Sequence, residues 1–306
     1  MTDSELIATT ATIARSVAVV IVTYRSSADL DGCLRSLVGD PAIGTVVVVD
    51  SGSADVESLR PIAKAHRITL LELGTNTGFG AACNRGAAAT LEPSLLFLNP
   101  DTELAHGCVS ALALALSNSP AGRTSPVAVV GPSVLSPDGS VYPSARSFPS
   151  LWRSAAHAFL GVVHPSNRFS RGYLRPESGA DWVSGTAMAV RRDAFEQVGG
   201  FDEGYFMYVE DVDLCWRLSH AGWGVEVCED ARVTHHIGGS SKFLPYSMIV
   251  AHHRSLWRFA VRTSTGMSRL ALPIVAIGLV ARGALLAALR VSSGNRAAVP
   301  AARHAG

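Results

Sequence analysis

Carboxylates at two places carry the clearest chemical signal in this sequence. Asp101 ends the segment LLFLNPD (95–101), in which an apolar run stops abruptly before the acidic residue. Asn-Pro-Asp is ordinary turn chemistry, yet a carboxylate held just past a buried strand can also act as an oxygen ligand. One of the two adjacent histidines in RVTHHIGG (232–239) could join such a site, or both could be structural.

The second group of carboxylates is Glu210, Asp211 and Asp213, which follow the aromatic cluster YFMY (205–208). Acidic residues in the first turn of a helix are normal capping residues. A carboxylate against apolar walls has a raised pKa, however, and can act as a general base near neutral pH. Arg217, about one helical turn beyond Asp213, could pair with it and hold the arrangement.

GTNTGFGAACNRG (74–86) is a glycine-rich segment that leads into a predicted helix. Backbone N–H groups of such a loop can approach phosphate, and Asn84 and Arg85 offer polar and cationic groups to a diphosphate. The segment lacks the G-x-G-x-x-G spacing of dinucleotide-binding loops and follows the third strand, which argues against an NAD site. Packing of a helix through small residues would account for the same pattern.

Four apolar runs predict buried strands, and helix-length segments separate them. The runs are 16–26, 45–55, 68–74 and 94–101, and the helical segments are 27–38, 55–66, 78–90 and 103–117. This alternation predicts βαβ units and a parallel sheet, in which ligands bind outside the carboxyl ends of the strands. Four polar residues fall in or just after those ends and would form one site: Tyr24, Asp50, Asn76 and Asp101. The Asp50 carboxylate suits the imide N–H of uracil or thymine, although a turn or helix cap is equally compatible.

The second half of the chain does not continue the regular alternation of strands and helices. Residues 127–132 predict another strand, and 133–180 read as an irregular, loop-rich insertion. Order returns with strands predicted at 182–190 and 224–228 and helices at 192–198 and 211–221.

Net charge and cysteine spacing indicate which partners and which compartment to expect. A net charge of +1 gives no reason to expect nucleic acid, and no sequence feature indicates an oligomeric state. The five cysteines form no CxxC pair, which suits reduced thiols in the cytosol.

From residue 253 onward the chain carries arginines but no Asp or Glu, and 270–289 is apolar over nearly the length of a bilayer span. We expect an interfacial or re-entrant helix on a membrane surface rather than a span; a helix packed on the core is the alternative.

Taken together, six ordered motifs resemble family 2 glycosyltransferases of the GT-A fold, especially rhamnosyltransferases acting on N-acetylglucosaminyl-diphosphoryl-polyprenol. The motifs are VTYRS, VVVDSGS, NTGFGAACNRG, LFLNPD, SGTAMAVRRDAFEQVGGFDEGYFMYVEDVDLCWRL and THHIGGS. The resemblance implies an α/β GT-A fold, a mostly parallel Rossmann-like sheet flanked by helices, with an acceptor-side subdomain and a C-terminal apolar helical region. The implied parts are a tail at 1–16, a nucleotide-sugar-binding half at 17–132, an acceptor-binding and catalytic half at 133–260, and a membrane-associating region at 261–306.

The resemblance also implies roles for individual residues. The implied catalytic base is Asp211, with Glu210 in support, and the implied ligands of Mg²⁺ or Mn²⁺ are Asp101 and His235. The implied nucleotide-sugar contacts are Thr23, Tyr24, Asp50, Asn76, Gly78, Asn84, Arg85 and Asn99. The implied acceptor contacts are Asp181, Trp182, Asp213, His252 and Arg254. Asn99 stands where many members carry the first aspartate of the metal motif, so a single carboxylate remains for the ion.

The expected reaction is inverting transfer of a sugar, with dTDP-rhamnose or a related nucleotide sugar as donor and a lipid-linked saccharide as acceptor, at the cytoplasmic face of the membrane. Two alternatives stay open. A UDP-hexose or UDP-galactofuranose donor would use the same fold, since uracil and thymine present the same imide edge. A catalytically inactive glycan- or lipid-binding module would be expected to lack Asp101 or Asp211, and both are present.

Overall fold

The computed structural model describes residues 13–118, 125–148, 180–236 and 246–297, with side chains up to 288. These residues fall into two compact units. The first contains the described residues up to 148 together with 180–236, and the second contains 246–297.

The first unit is built on an eight-stranded sheet. Its strands are β1 (Val17–Thr23), β2 (Ile43–Asp50), β3 (Thr69–Glu72), β4 (Ser94–Leu98), β5 (Thr102–Leu104), β6 (Val127–Leu135), β9 (Ala187–Arg191) and β10 (Gly224–His235). They lie side by side in the order β3-β2-β1-β4-β9-β6-β10-β5. β1 pairs in parallel with β2 and β4, whereas β9 runs antiparallel between β4 and β6. A second, two-stranded sheet pairs β7 (Ala145–Arg146) with β8 (Trp182–Val183).

Helices flank the sheet of this unit. They are α1 (Ser27–Ser36), α2 (Val56–His66), α3 (Phe79–Ala88), α4 (Cys108–Ser117), α5 (Arg192–Gln197) and α6 (Glu210–His220). Every residue of β1 is buried, as expected for a continuous Val and Ile run covered on both faces of a parallel sheet. The mostly parallel sheet flanked by helices confirms the predicted fold class.

The predicted elements and the structure differ in three places. The helix predicted from 103 begins only at Cys108, because Thr102–Leu104 forms an edge strand antiparallel to β10. β10 continues to His235, well past the predicted end at 228, and the strand predicted at 182–190 is split into β8 and β9. The β5–β10 pairing joins residues more than 100 positions apart in the chain, so local pattern does not reveal it.

The predicted domain boundaries also differ from the structural units. The predicted divide at residue 132 runs through β6, and strands from both predicted halves share one sheet. The predicted boundary at 260 falls inside α7 (Tyr246–Thr263), which belongs with the C-terminal residues in the second unit. Residues 1–12 of the tail predicted at 1–16 lie outside the described residues. Residues 149–179 of the predicted insertion also lie outside them.

The second unit consists of α7, a short 3₁₀ helix (Gly266–Ala271) and α8 (Leu272–Ala297). Gly266–Ala288 has a mean hydropathy of 2.1 in its most apolar window, none of which is buried within the protein. By length and composition this stretch could cross a membrane, criteria that core helices of soluble proteins also meet.

Candidate active site

The predicted catalytic pair lies at the N-terminus of α6. Asp211 accepts hydrogen bonds from two backbone N–H groups, of Gly185 at 2.9 Å and of Val212 at 2.8 Å. Burial raises the pKa of Asp211, and these two donors partly oppose the rise. A half-buried carboxylate in this state is suited to accept a proton.

The chain enters α6 through strained backbone. Tyr208 and Val209 both have positive φ, of 67° and 72°. Such values are uncommon for any residue with a side chain and rare for a β-branched one, and they store on the order of 1–3 kcal/mol each. The strained turn directs Glu210 inward and sets Asp211 at its rim.

Glu210 is buried, with 6% of its surface exposed, and its Oε2 has no hydrogen-bond partner among the described residues. Burial, and then the neighbouring charge of Asp211, raises the pKa of Glu210 to about 8. Glu210 is therefore mostly protonated at neutral pH, and it titrates together with the neighbouring Asp211.

Arg146 is a site residue that the sequence interpretation missed. Its guanidinium lies over the Trp182 ring, 5.4 Å from the centroid, and donates through Nε to the carbonyl oxygen of Pro143 at 3.0 Å. Its positive charge opposes the rise in the Asp211 pKa. The only local signal would have been a basic residue beside aromatic residues in an irregular segment; pairing of β7 with β8 brings it to the site.

Asp213 is buried, which argues against its predicted contact with an acceptor. Its carboxylate accepts a hydrogen bond from the Tyr205 hydroxyl at 3.0 Å and forms an ion pair with Arg217 at 2.7 Å. The predicted pairing with Arg217 is thus confirmed. Because the side chain has no exposed surface, we assign it to holding α6 against the 198–205 segment.

Asp101 and His235 meet at the edge of the sheet formed by β5 and β10. Antiparallel pairing sets His235 opposite Thr102, and the His235 Nε2 lies 3.2 Å from the Asp101 Oδ1. The described residues contain no group of three or more His, Cys, Asp or Glu that could hold a metal. One carboxylate and one imidazole still fit Mg²⁺ or Mn²⁺, because these ions take their remaining ligands from substrate phosphates and water.

Three of the predicted nucleotide residues, Tyr24, Asp50 and Asn76, lie at the carboxyl ends of β1, β2 and β3 or in the loops that follow. Asp50 closes the turn after β2, where its carboxylate accepts from the N–H groups of Gly52 and Ser53, so the turn interpretation holds and the base contact stays a prediction. Asn76 accepts from the Gly78 N–H at 3.0 Å and shapes the glycine-rich loop. Tyr24 is 38% exposed at the same edge.

Gly78 joins the glycine-rich loop to the segment before the catalytic pair. It has φ of +87°, and a Cβ there would lie 2.1 Å from the carbonyl oxygen of Phe206. The next residue, Phe79, donates its N–H to that same oxygen at 3.1 Å. The predicted donor loop and the segment that leads into Glu210 are therefore in contact through backbone atoms.

Asn84 has a different environment from the one predicted. Its side-chain amide donates to the carbonyl oxygen of Phe201 and to Glu203, and its side-chain oxygen accepts from the Phe201 N–H. These bonds tie α3 to the 199–204 turn and argue against a contact with diphosphate. Arg85 is exposed in an ion pair with Glu203 at 3.8 Å, and its contact with a diphosphate stays a prediction.

The remaining predicted residues have separate environments in the two units. Thr23 is fully buried, and Asn99 is half-buried at the end of β4. Asp181 accepts a hydrogen bond from the Phe148 N–H at 2.7 Å. His252 and Arg254 lie on α7 of the second unit, so their predicted contact with an acceptor stays a prediction.

Comparison with known proteins decides the family. The family described as glycosyltransferase like family 2 matches residues 14–254. The chain belongs to glycosyltransferase family 2. The N-acetylglucosaminyl-diphospho-decaprenol L-rhamnosyltransferase of Mycobacterium tuberculosis is 38% identical over 82% of this chain and 86% of its own length. The rhamnosyltransferase WbbL of Escherichia coli is 32% identical over 39% of this chain and 44% of its own length.

Solved structures support the GT-A fold of this family 2 glycosyltransferase. A mannosyltransferase from Pyrobaculum calidifontis, solved with GDP-Man and Mn²⁺, has a TM-score of 0.53 at 17% identity and covers 93% of this chain and 81% of its own. GalNAc-T7, solved with UDP, GalNAc and Mn²⁺, has a TM-score of 0.52 at 16% identity and covers 73% of this chain and 44% of its own. At such identity the likeness concerns the fold alone.

Proposed function

We propose that this glycosyltransferase moves L-rhamnose from dTDP-rhamnose to a hydroxyl of a lipid-linked N-acetylglucosaminyl diphosphate in cell-wall or polysaccharide assembly. The observation that carries the proposal is its identity with the mycobacterial rhamnosyltransferase over most of both chains. The presence of both Asp101 and Asp211 supports an active enzyme rather than an inactive binding module.

The proposed chemistry is a single displacement. Asp211 removes the proton of the acceptor hydroxyl as that oxygen attacks the anomeric carbon of the donor. The new glycosidic bond forms as the bond from that carbon to the diphosphate oxygen breaks on the opposite face, so the configuration inverts through an oxocarbenium-like state. Backbone N–H groups of Gly185 and Val212 orient the carboxylate, and Glu210 stays neutral beside it.

The leaving diphosphate carries negative charge that the chain must balance. Asp101 and His235 would hold Mg²⁺ or Mn²⁺, which when bound neutralises that charge. Arg85, exposed on α3, is available to add a further positive charge from the protein itself.

A panel of donors tests the proposal. Purified protein would be incubated with dTDP-rhamnose, UDP-glucose or UDP-galactofuranose and a short-chain polyprenyl diphosphate N-acetylglucosamine. We expect transfer from dTDP-rhamnose above the other two, and Asp211→Asn serves as the inactive control. Preferential turnover of a UDP-sugar would reject the rhamnosyl assignment while leaving the family intact.

We also propose that the enzyme works as a peripheral protein at the cytoplasmic membrane surface. Exposed apolar residues of the second unit support this, with Ile274, Ile277 and Val280 each about 70% exposed along α8. Arginines without nearby acids add attraction to anionic headgroups, on the order of 1 kcal/mol each.

Truncation before Leu270 tests the membrane proposal. The shortened protein should stay soluble, keep turnover with a short-chain acceptor and lose efficiency with acceptor in membranes. Full-length protein should leave membranes at high salt, since screened charges release a surface-bound protein but not a spanning helix. Resistance to salt would instead indicate a span, and aggregation of the shortened protein would reject the proposal.

A further inference from the structure

Three groups that can carry positive charge meet between α7 and α8 in the second unit. The rings of His252 and His253 on α7 have centroids 5.9 Å apart. A Cβ at Gly283 on α8 would lie 3.8 Å from the His253 Nε2, so the ring packs against that helix. Arg282, next to Gly283, is half-buried. Burial, then the charges of Arg282 and His253, lowers the pKa of His252 to about 4.

No acidic group of the described residues balances this cluster. The sequence contains no Asp or Glu after Asp230, and within the described part of the chain Arg282 forms neither a salt bridge nor a hydrogen bond. His253 donates through Nδ1 to the carbonyl oxygen of Ile249 at 2.7 Å. Its Nε2 is buried and has no partner among those same residues. Removing an imidazole nitrogen from water without a partner is costly, and the half-buried guanidinium of Arg282 gives up part of its hydration; an anion bound beside both would offset these losses.

We infer that α7 and α8 form an anion-binding site, held by Arg282, His253 and His252, whose ligand is a phosphate or diphosphate group. The planar guanidinium presents paired donors that match phosphate oxygens. Because His253 already uses Nδ1 as a donor, its Nε2 can donate to an anion only in the charged form of the ring. One guanidinium with two imidazole rings beside it offers several hydrogen-bond donors, which suits a phosphate group better than a single carboxylate.

A free phosphate compound and a lipid headgroup offer the same chemistry. Exposed Ile277 and Val280 on α8 lie close in sequence to Arg282, which favours a headgroup held at a membrane surface. The choice of a diphosphate rests on the proposed lipid-linked acceptor, whereas the site itself rests on the two helices.

Titration of the full-length protein with inorganic pyrophosphate tests the site. With ¹³C-labelled histidine rings, the signals of His252 and His253 should shift and saturate. Arg282→Gln should weaken binding about tenfold or more, because a charge-assisted pair of hydrogen bonds is lost. Arg282→Lys should bind between the two, since it keeps the charge without the fork. Arg269→Gln is the matched control, because Arg269 is exposed in the same unit.

Flotation with phosphatidylcholine vesicles, with and without phosphatidic acid, separates the two sources. A loss of phosphatidic acid-dependent binding by Arg282→Gln, alone or with the loss of pyrophosphate binding, supports a headgroup. A loss confined to pyrophosphate supports a free phosphate compound. Equal behaviour of wild type, Arg282→Gln and Arg282→Lys in both assays, with unchanged circular dichroism, would overturn the site. Neither readout needs sugar transfer, so failure of the rhamnosyl proposal would appear separately in the donor panel.

Discussion

Replacing Glu210 with glutamine should stabilise the protein at neutral pH. Glu210 is 6% exposed, and its Oε2 has no partner among the described residues. Its pKa rises from 4.5 in the unfolded chain to about 8 in the folded protein. Between these values the unfolded state gives up a proton that the folded state keeps, so stability present below pH 4.5 is lost progressively as pH rises toward 8.

The size of the effect follows from this interval. Each pH unit between the two pKa values costs about 1.4 kcal/mol, so at pH 7 the wild type has lost roughly 3 kcal/mol that Glu210→Gln retains. Glutamine has nearly the same shape and does not titrate. The two proteins should therefore have similar stability near pH 4.5 and diverge steadily above it.

Urea unfolding at several pH values between 5 and 8.5 measures the difference. Glu229→Gln is the matched control, because Glu229 is exposed and its replacement changes the charge in the same way. Parallel stability curves for wild type and Glu210→Gln across this range would refute the reasoning, since they would mean that Glu210 ionises in the folded protein as it does in water.

Four further changes test the site. Asp211→Asn should lower turnover by roughly 10²–10⁴-fold while donor binding, measured by titration calorimetry, persists. Asp101→Ala should weaken donor binding and turnover together, as should a chelator with the wild type; full activity in chelator would remove the metal. Gly78→Ala should lower the melting temperature and donor affinity, because its Cβ would meet the Phe206 carbonyl oxygen. Arg146→Gln should move the acidic limb of the pH–rate profile to higher pH, because the positive charge that lowers the Asp211 pKa is lost. Arg146→Lys keeps a positive charge and should restore the wild-type profile.

The sheet was predictable because strands that are buried on both faces appear in the sequence as continuous apolar runs. β1, β2 and β4 are continuous apolar runs, and the helices between them have the expected lengths. The edge strand β5 leaves no such trace, since three residues that alternate between buried and exposed acquire their structure only by pairing with β10.

For the candidate site, the sequence indicates which residues can form hydrogen bonds but not which partners they have. Motif likeness selected Asn84 as a ligand contact, whereas its amide is used to tie α3 to the turn at Phe201. Arg146 carries no motif and enters the site through a two-residue strand that pairs across a long stretch of chain. Hydrogen-bonding capacity is visible in a sequence, but the partner that uses it depends on tertiary contacts.

The three carboxylates of α6 show why spacing alone does not assign roles. Glu210 and Asp213 are three residues apart and therefore share the buried face of the helix, where one stays neutral and the other is paired with Arg217. Asp211 is turned by about 100° from Glu210, which sets it at the rim with two backbone donors. Only this carboxylate combines partial access to water with stabilisation of its charge. Angular position on the helix therefore distinguishes the proposed base from two chemically similar residues.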